Sequence, residues 1–156
     1  MSGFVTPDTP NLPDFLTFLG NSVQIPSVAL PSNSAWPGYA LNQAIGLTLA
    51  PPSLPAPIMY TLAVYNCATH VLFQITPDQT GQTYFTNARS AAGYGLIQPS
   101  TGLIVGAADQ GTSGNMAVPE WASKLTVGQL DFFKTPWGRA YLAWTQSYGP
   151  NVWGIT

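Results

Sequence analysis

The chain has 156 residues, and only ten of them are charged: four Lys or Arg and six Asp or Glu, which gives a net charge of −2. So few cations argue against a nucleic-acid-binding surface, which needs a stripe of Lys and Arg to neutralise phosphates. A single cysteine and a single histidine cannot supply the three or four ligands of a thiolate or imidazole metal site, and neither a metal nor another cofactor is expected. Composition therefore favours a structural or assembly role.

The chain begins with a proline-rich stretch. Pro7, Pro10 and Pro13 predict an extended N-terminal arm over 1–13. No basic segment followed by an apolar one opens the sequence, so no secretory signal is predicted and a cytoplasmic product is expected. At this length we expect one domain over 1–156.

The region 14–92 is predicted to form a helical body. Its first helix covers 14–19, where apolar residues follow an acidic first turn, and Gly20 is predicted to end it. A second helix is predicted over 38–49, because its apolar residues recur at helical spacing and two prolines follow. A further helical turn or two is predicted over 85–92.

Between these helices lies the most apolar segment, 58–75. It is apolar nearly all round, which is typical of a helix enclosed by protein, and Pro77 is predicted to stop it. It also approaches the length of a membrane span, but Asn66, His70 and Gln74 form a polar stripe on one face, and no Lys or Arg lies at either end. The pattern favours a buried central helix over a membrane span. The predicted fold class is therefore mainly α, a small helical bundle around this helix.

A glycine-rich region follows the helical body. Residues 94–98 and 103–105 predict two short strands around a four-residue turn, which makes a β-hairpin. The glycines and alanines of 106–115 predict a flexible loop. One β-hairpin with an extended loop is thus expected within 94–115, in a region that runs to residue 118.

The C-terminal region is predicted to hold helices within 126–148 and an arm over 149–156. Thr135, a capping residue, stands directly before Pro136, which suits the first helical position. Gly149 is predicted to end the last helix. Two helices are predicted there, over 126–133 and over 136–148.

The last predicted helix carries large aromatic side chains on one face. Trp137, Tyr141, Trp144 and Tyr148 recur at spacings of four, three and four residues. Such a face either packs in the core or forms a contact with another chain, and both interpretations stay open. The candidate core or interface residues are these four together with Arg139 and Trp153.

An enzymatic alternative depends on Cys67 and His70. They lie one turn apart on the predicted central helix, so a thiol nucleophile and a general base could meet. A nucleophilic cysteine needs partial exposure and a positive environment, whereas this helix is predicted to be enclosed. We therefore expect a structural histidine and predict no catalytic residue, and a small soluble enzyme using Cys67 and His70 is kept as the alternative.

Two stretches of the chain resemble a known family. Residues 102–113, Gly-Leu-Ile-Val-Gly-Ala-Ala-Asp-Gln-Gly-Thr-Ser, and residues 130–142, Leu-Asp-Phe-Phe-Lys-Thr-Pro-Trp-Gly-Arg-Ala-Tyr-Leu, are similar to the C-terminal half of the head-to-tail adaptor (connector, head-completion) proteins of tailed bacteriophages. In that family a Thr-Pro-(Tyr or Trp)-Gly-Arg stretch opens a late helix after a Ser/Gly-rich strand and loop. Residues 49–52 leading into 60–66 are similar in order and spacing to the family's body helices. The resemblance covers 14–148.

The resemblance implies a mainly helical protomer that joins a ring, typically of twelve copies, beneath the portal. Such a ring lies in the virion neck, joins capsid to tail, and lines the channel through which DNA passes without specific binding. The implied partners are other copies of the chain, the portal protein, and tail or tail-completion proteins. A ring protomer can keep neutral flanks because its neighbours cover them. Another virion part, such as a tail-completion or capsid-decorating protein, is kept as a further alternative.

Overall fold

The computed structural model of the chain describes residues 9–48, 56–93, 107–109, 112–114 and 131–148. The fold is mainly helical, as predicted. The helices are α1 (Leu12–Phe18), α2 (Trp36–Leu47), α3 (Pro57–Ile75), α4 (Tyr84–Ala91) and α5 (Pro136–Tyr148). A π-helical turn (Leu19–Val23) follows α1, and a short strand pair, β1 (Ala107–Asp109) and β2 (Thr112–Gly114), precedes α5.

Helix α3 lies at the centre of the described structure. From Ala63 to Phe73 every residue except Asn66 is buried, and α2, α4 and α5 all pack against this helix. Pro57 occupies the first turn, where its missing N–H has no intrahelical partner to lose. The helix ends shortly before Pro77, which cannot continue it. The helix predicted over 58–75 is therefore present, and the neighbouring helices account for its apolar sequence.

Of the helices that the structure describes, α3 alone is long and apolar enough to cross a membrane, judged by length and composition. Within the protein, 61% of the apolar 18-residue stretch of this helix is buried. Burial against neighbouring helices is the usual condition of a core helix. The packing thus favours the core interpretation, in line with the polar stripe seen in the sequence.

Helix α1 begins two residues earlier than predicted, because Asn11 caps it. The Asn11 Oδ1 accepts a hydrogen bond from the backbone N–H of Asp14 (3.0 Å), and its Nδ2 donates to the Asp14 carboxylate (2.6 Å). The Tyr65 hydroxyl on α3 donates to the carbonyl oxygen of Asn11 (3.2 Å). The prediction of an extended arm over 1–13 is therefore wrong at its end, where the last two residues are helical.

The chain does not leave the helix at Gly20, contrary to the sequence prediction. The helical conformation continues through the π-helical turn, which Gln24 terminates. Gln24 adopts a left-handed conformation (φ 60°, ψ 40°) and donates its backbone N–H to the carbonyl oxygen of Leu19. Phe18 and Leu19 are both buried in the core. Burial of these side chains holds the turn in place and overrides the weak local preference of glycine to end a helix.

Helix α2 packs on α3 through small side chains. Ala40 and Ala44 are buried, and such short side chains let two helices approach closely. The prediction of this helix over 38–49 is two residues late at both ends. Pro37 belongs to the first turn, where proline is tolerated, and Thr48 leaves the helix in an extended conformation (φ −101°, ψ 107°).

Two charged side chains hold the connection between α3 and α4. Asp78 accepts hydrogen bonds from the backbone N–H groups of Phe85 (2.6 Å) and Thr86 (3.0 Å) in the first turn of α4. Arg89 donates from α4 to the carbonyl oxygen of Thr76 (2.7 Å), directly after α3. Both contacts satisfy backbone groups that a helix end leaves without an intrahelical partner. The side-chain hydrogen bond with Thr86 holds the pKa of the Asp78 carboxyl below its usual range.

The described strands lie elsewhere than the predicted ones. In the antiparallel pair of β1 and β2, Ala108 lies opposite Ser113. This pair falls inside 106–115, so the prediction of a flexible loop is wrong for the paired residues. The two residues between the strands, Gln110 and Gly111 in the sequence, lie outside the described residues. The strands predicted over 94–98 and 103–105 lie outside the described residues.

The structure describes only part of the C-terminal region for which predictions were made. Helix α5 has the bounds predicted for it. Of the helix predicted over 126–133, only the end is described, and Asp131 and Phe132 are helical. The C-terminal arm over 149–156 lies outside the described residues, as do residues 1–8 of the N-terminal arm.

Candidate functional site

The candidate site is the junction at which α5 begins against the middle of α3. Thr135 directly precedes α5 and is buried. Its Oγ1 accepts a hydrogen bond from the backbone N–H of Gly138 (3.0 Å), the contact that a threonine cap makes with the third helical residue. The same oxygen lies 2.8 Å from Nδ1 of His70 on α3. One hydroxyl group therefore both caps α5 and ties it to α3.

Gly138 allows α5 to approach α3 this closely. A Cβ atom at this position would overlap the carbonyl oxygen of Phe132 and lie 2.9 Å from Nδ1 of His70. Because the overlapped atom belongs to the backbone, no side-chain rotation can relieve the clash. The junction thus restricts this position to glycine.

His70 is buried in the junction, with 1% of its surface exposed. Its ring stacks on that of Phe132, with the ring centroids 4.4 Å apart. Burial lowers the pKa of His70 to about 4, an effect that the Asp131 carboxylate opposes and the Lys134 ammonium reinforces. The imidazole is therefore neutral at pH 7, and it meets Thr135 as a neutral hydrogen-bond partner.

Cys67 is fully enclosed on α3. Burial raises the pKa of its thiol to about 12, although hydrogen bonds with the side chains of Thr48 and Tyr141 act in the opposite direction. Such a thiol stays protonated at neutral pH, whereas the nucleophile of a cysteine enzyme is the thiolate. Cys67 and His70 therefore lack the exposed, activated thiol on which the enzymatic alternative depends.

Trp137 and Tyr141 form the inner part of the aromatic face of α5. The Trp137 ring stacks on Phe73 of α3, with centroids 4.8 Å apart and 16° between the planes. The buried Tyr141 hydroxyl donates to the carbonyl oxygen of Leu47 (3.4 Å) and accepts from the Thr48 hydroxyl (3.5 Å). Because Leu47 is the last residue of α2, this contact satisfies a carbonyl group at the end of that helix. This part of the face packs in the core.

Trp144 and Tyr148 carry the same face to the surface. The half-buried Trp144 ring lies 6.5 Å from the ring of Tyr60 and 6.5 Å from that of Tyr141. Its indole N–H is buried and has no hydrogen-bond partner among the described residues. Tyr148 is 39% exposed, and its ring lies 6.4 Å from that of Trp144. The inner end of the aromatic face therefore lies in the core, whereas the outer end reaches the surface, where a contact with another chain stays a prediction.

Arg139 has a local contact. Its guanidinium donates to the carbonyl oxygen of Phe133 (2.9 Å), just before α5, while the side chain is exposed. Nearby, Lys134 pairs with Asp131, with 2.9 Å between Nζ and Oδ1. These contacts tighten the turn that leads into α5. Trp153, the remaining candidate from the sequence, lies outside the described residues.

The chemistry of the junction is that of packing and hydrogen bonding. Its imidazole is neutral, its thiol is protonated, and its tyrosine hydroxyl is engaged with the end of α2. In the part of the chain that the structure describes, no group of three or more His, Cys, Asp or Glu side chains is placed to hold a metal ion. The arrangement is built to hold α5 in one position on α3.

Sequence reasoning missed three residues that complete the junction: Phe132, Phe73 and Thr48. Each comes from a different part of the chain, and each meets a side chain of α5 in the folded structure. Gly138 is the one available signal, because glycine inside a helix costs about 0.5 to 1 kcal/mol relative to alanine and so indicates a close approach. A glycine at this position predicts that another part of the chain lies against α5, but it does not identify the residues in contact.

Replacing Gly138 with alanine should lower the free energy of unfolding by about 1 to 3 kcal/mol, the usual effect of forcing an added group into a packed site. The matched control is Gly46→Ala in α2, where a Cβ atom would meet nothing within 4 Å. That change should stabilise the protein by about 0.5 to 1 kcal/mol, because alanine is the better helix former. Urea unfolding measures both, and an equal effect of the two variants would contradict the close approach.

Lowering the pH from 7 to 4 should destabilise the protein through His70. The unfolded chain binds a proton at this residue below its ordinary pKa of 6.5, whereas the folded chain binds one only below about 4. Between these values the unfolded state holds more protons, so stability falls with falling pH, by roughly 3 kcal/mol across the window. His70→Gln does not titrate and should lose this part of the dependence. Urea unfolding at pH 7, 5.5 and 4 compares the two proteins, and equal slopes would refute the assignment.

No protein-family model matches the chain, and no curated protein or solved structure matches it. The resemblance to head-to-tail adaptors therefore rests on the sequence, chiefly on residues 102–113 and 130–142. The second stretch is described from residue 131 onward, and it contains the Thr135 cap and the Gly138 contact.

Proposed function

We propose that this chain is a structural virion protein, a head-to-tail adaptor that forms a ring beneath the portal of a tailed bacteriophage. In this role it joins capsid to tail in the virion neck and lines the channel through which DNA passes. Its partners are other copies of the chain in a closed ring, typically of twelve copies in the family that the sequence resembles, together with the portal protein and tail or tail-completion proteins. It is made in the host cytoplasm and works as neither an enzyme nor a cofactor-binding protein.

The structural roles of residues 135–139, Thr-Pro-Trp-Gly-Arg, are the main support for the proposal. Thr135 caps α5, the proline occupies its first turn, Trp137 stacks on α3, Gly138 permits the close approach, and Arg139 binds the preceding turn. Each member has a separate structural task at the start of a late helix. Because five neighbouring residues meet separate structural requirements, the similarity of this stretch to the adaptor family is more specific than a similarity in helical content alone. It therefore supports the proposal.

The charge-free helices also support a role inside an assembly. Helices α2 and α3, with 12 and 19 residues, contain no Lys, Arg, Asp or Glu. Large apolar side chains are nevertheless exposed on α2, where Tyr39 is 62% and Leu47 is 53% accessible. Apolar side chains exposed on an uncharged surface are typical of contact sites between chains. Neighbouring copies in a ring would cover such a surface.

The few cations of the described chain suit a wall along which DNA slides. Arg89 and Arg139 donate to backbone carbonyl groups, and Lys134 pairs with Asp131. Every Lys or Arg contact with a phosphate adds affinity for the nucleic acid. The three described cations thus make contacts within the protomer itself, which would leave them less available for strong phosphate contacts in the channel.

In this proposal the protomer is a small helical bundle around helix 58–75. The β-hairpin and extended loop within 94–115, the N-terminal arm that precedes α1, and the C-terminal arm over 149–156 reach the portal, the tail or neighbouring copies. A Cys67/His70 enzyme would instead need a thiol that reacts with a thiol reagent in the native protein. A capsid-decorating protein would be present in virions but spread over the head.

The proposal predicts that the protein is present in purified virions and that electron microscopy locates it at the neck. Purified protein should attach to heads that carry a portal, with weak dependence on salt, because contacts made by so few charges depend on apolar burial. Sedimentation of heads with bound protein at low and high salt measures the attachment. Absence from virions together with no binding to a portal ring at any salt concentration would show the assignment to be wrong.

Tyr148→Ala should separate attachment from folding. Because the ring is 39% exposed at the end of α5, its loss should leave the free energy of unfolding within about 0.5 kcal/mol of the original while weakening attachment to heads. Trp144→Ala is the matched comparison, and removal of its half-buried ring should cost about 3 kcal/mol of stability. Normal attachment of the Tyr148 variant would remove the outer end of the aromatic face from the proposed contact.

A further inference from the structure

A groove of about 540 Å³ lies between α4 and the start of α5. Its aromatic lining comes from three helices: Tyr84 of α4, Phe73 of α3 and Trp137 of α5. The Phe73 ring lies 6.2 Å from that of Tyr84 and 4.8 Å from that of Trp137. Ala88 and Ala91, one turn apart on α4, line the groove with short side chains. The alanines leave room for an occupant to reach the aromatic rings.

An aromatic groove of this kind suits an extended, proline-rich segment. In a polyproline II helix, residues three apart lie on the same side and about 9 Å from each other, so two prolines at this spacing present one apolar face. Aromatic-lined grooves bind such segments because the extended conformation is already favoured before binding. The shape and lining of the groove therefore point to a ligand with prolines three residues apart.

The chain itself contains such a segment in its N-terminal arm. Pro7-Asp8-Thr9-Pro10 has the required spacing, and Asp8 is its one charged side chain. The one charged residue that lines the described part of the groove is Lys134, a cation. Lys134 already pairs with Asp131, so a second carboxylate at this edge would extend an ion pair. The opposite charges favour this segment over Pro52 to Pro55, which has the same spacing but no acidic residue.

Pro10 of the same molecule lies outside its own groove. Pro10 adjoins Asn11, whose carbonyl oxygen binds the Tyr65 hydroxyl, and Pro10 does not line the groove. Tyr65 precedes Phe73 by eight residues on α3, about 12 Å along the helix axis. A segment that places both prolines in the groove must therefore come from another molecule.

We propose that the groove between α4 and α5 binds the segment Pro7 to Pro10 of a second copy of this chain. Each copy then offers one arm and one groove. Such a heterologous contact, in which two different surfaces of the same chain meet, is the type from which closed rings are built. The inference rests on the proposed function, because it names a contact between neighbouring copies of the chain within the ring. Its test requires neither a portal nor a virion, so the two can fail separately.

The test is a fluorescence anisotropy titration with a labelled peptide of residues 1–10. The acceptor is the full chain carrying Pro7→Ser, so that its own arms do not compete for the groove. We expect saturable binding, and binding at least about tenfold weaker for a peptide that carries Pro7→Ser, because one of the two proline contacts is lost. A peptide of residues 49–57, which contains the uncharged proline pair, should also bind about two- to fivefold more weakly, since it lacks the ion pair.

Two substitutions on α4 locate the binding site. Ala91→Leu fills the groove with a good helix former and should weaken peptide binding by about tenfold or more. Ser90→Leu is the matched control, because Ser90 is exposed on the same helix and does not line the groove. It should leave binding unchanged, and circular dichroism should show the same helical content in both variants.

Three results would overturn the proposal: no saturable binding of the 1–10 peptide, equal binding by the Ala91→Leu and Ser90→Leu proteins, or equal binding of the 49–57 peptide. Groove-dependent binding by a protein that never attaches to a portal would refute the adaptor assignment and keep the contact between copies. Attachment to heads without peptide binding would refute this contact alone.

Discussion

The described structure depends on the contact between the first turn of α5 and the middle of α3. At Gly138 there is no room for a methyl group, because the carbonyl oxygen of Phe132 and the ring of His70 occupy the space where a Cβ atom would lie. A helix is stiff, so the position of its first turn sets where every later side chain lies. The stacking of Trp137 on Phe73 and the contact of Tyr141 with the end of α2 both follow from that one approach.

Burial on α3 decides the chemical state of the groups that a catalytic hypothesis would use. Removal from water penalises the charged form of a side chain, so His70 is neutral and Cys67 keeps its proton. Both then serve as uncharged hydrogen-bonding or packing groups in a helix without formal charges. The same apolar sequence that makes α3 a core helix therefore also removes the reactivity that its cysteine and histidine would have in an exposed site.

Sparse charge links the fold to the proposed assembly. With ten charged residues in the chain, contacts between copies would depend on apolar and aromatic burial more than on ion pairs. The exposed side chains of α2 and the outer end of the aromatic face are surfaces of that kind. In the proposed contact between copies, the groove between α4 and α5 would add specificity, because its described lining offers aromatic rings to two prolines and a lysine to the one charged residue of the N-terminal arm.

The sequence by itself determined which segments are helical wherever the signal is local. An apolar run ended by Pro77 defined α3, and the pair Thr135-Pro136 marked the start of α5. Gly20 misled because burial of Phe18 and Leu19 outweighs a local preference, and the start of α1 depends on a cap that a distant tyrosine supports. Only the tertiary structure decided which end of the aromatic face is core and which residues meet Gly138. His70 and Thr135 are 65 residues apart in the chain, and no signal confined to one helical turn reports a contact over that separation.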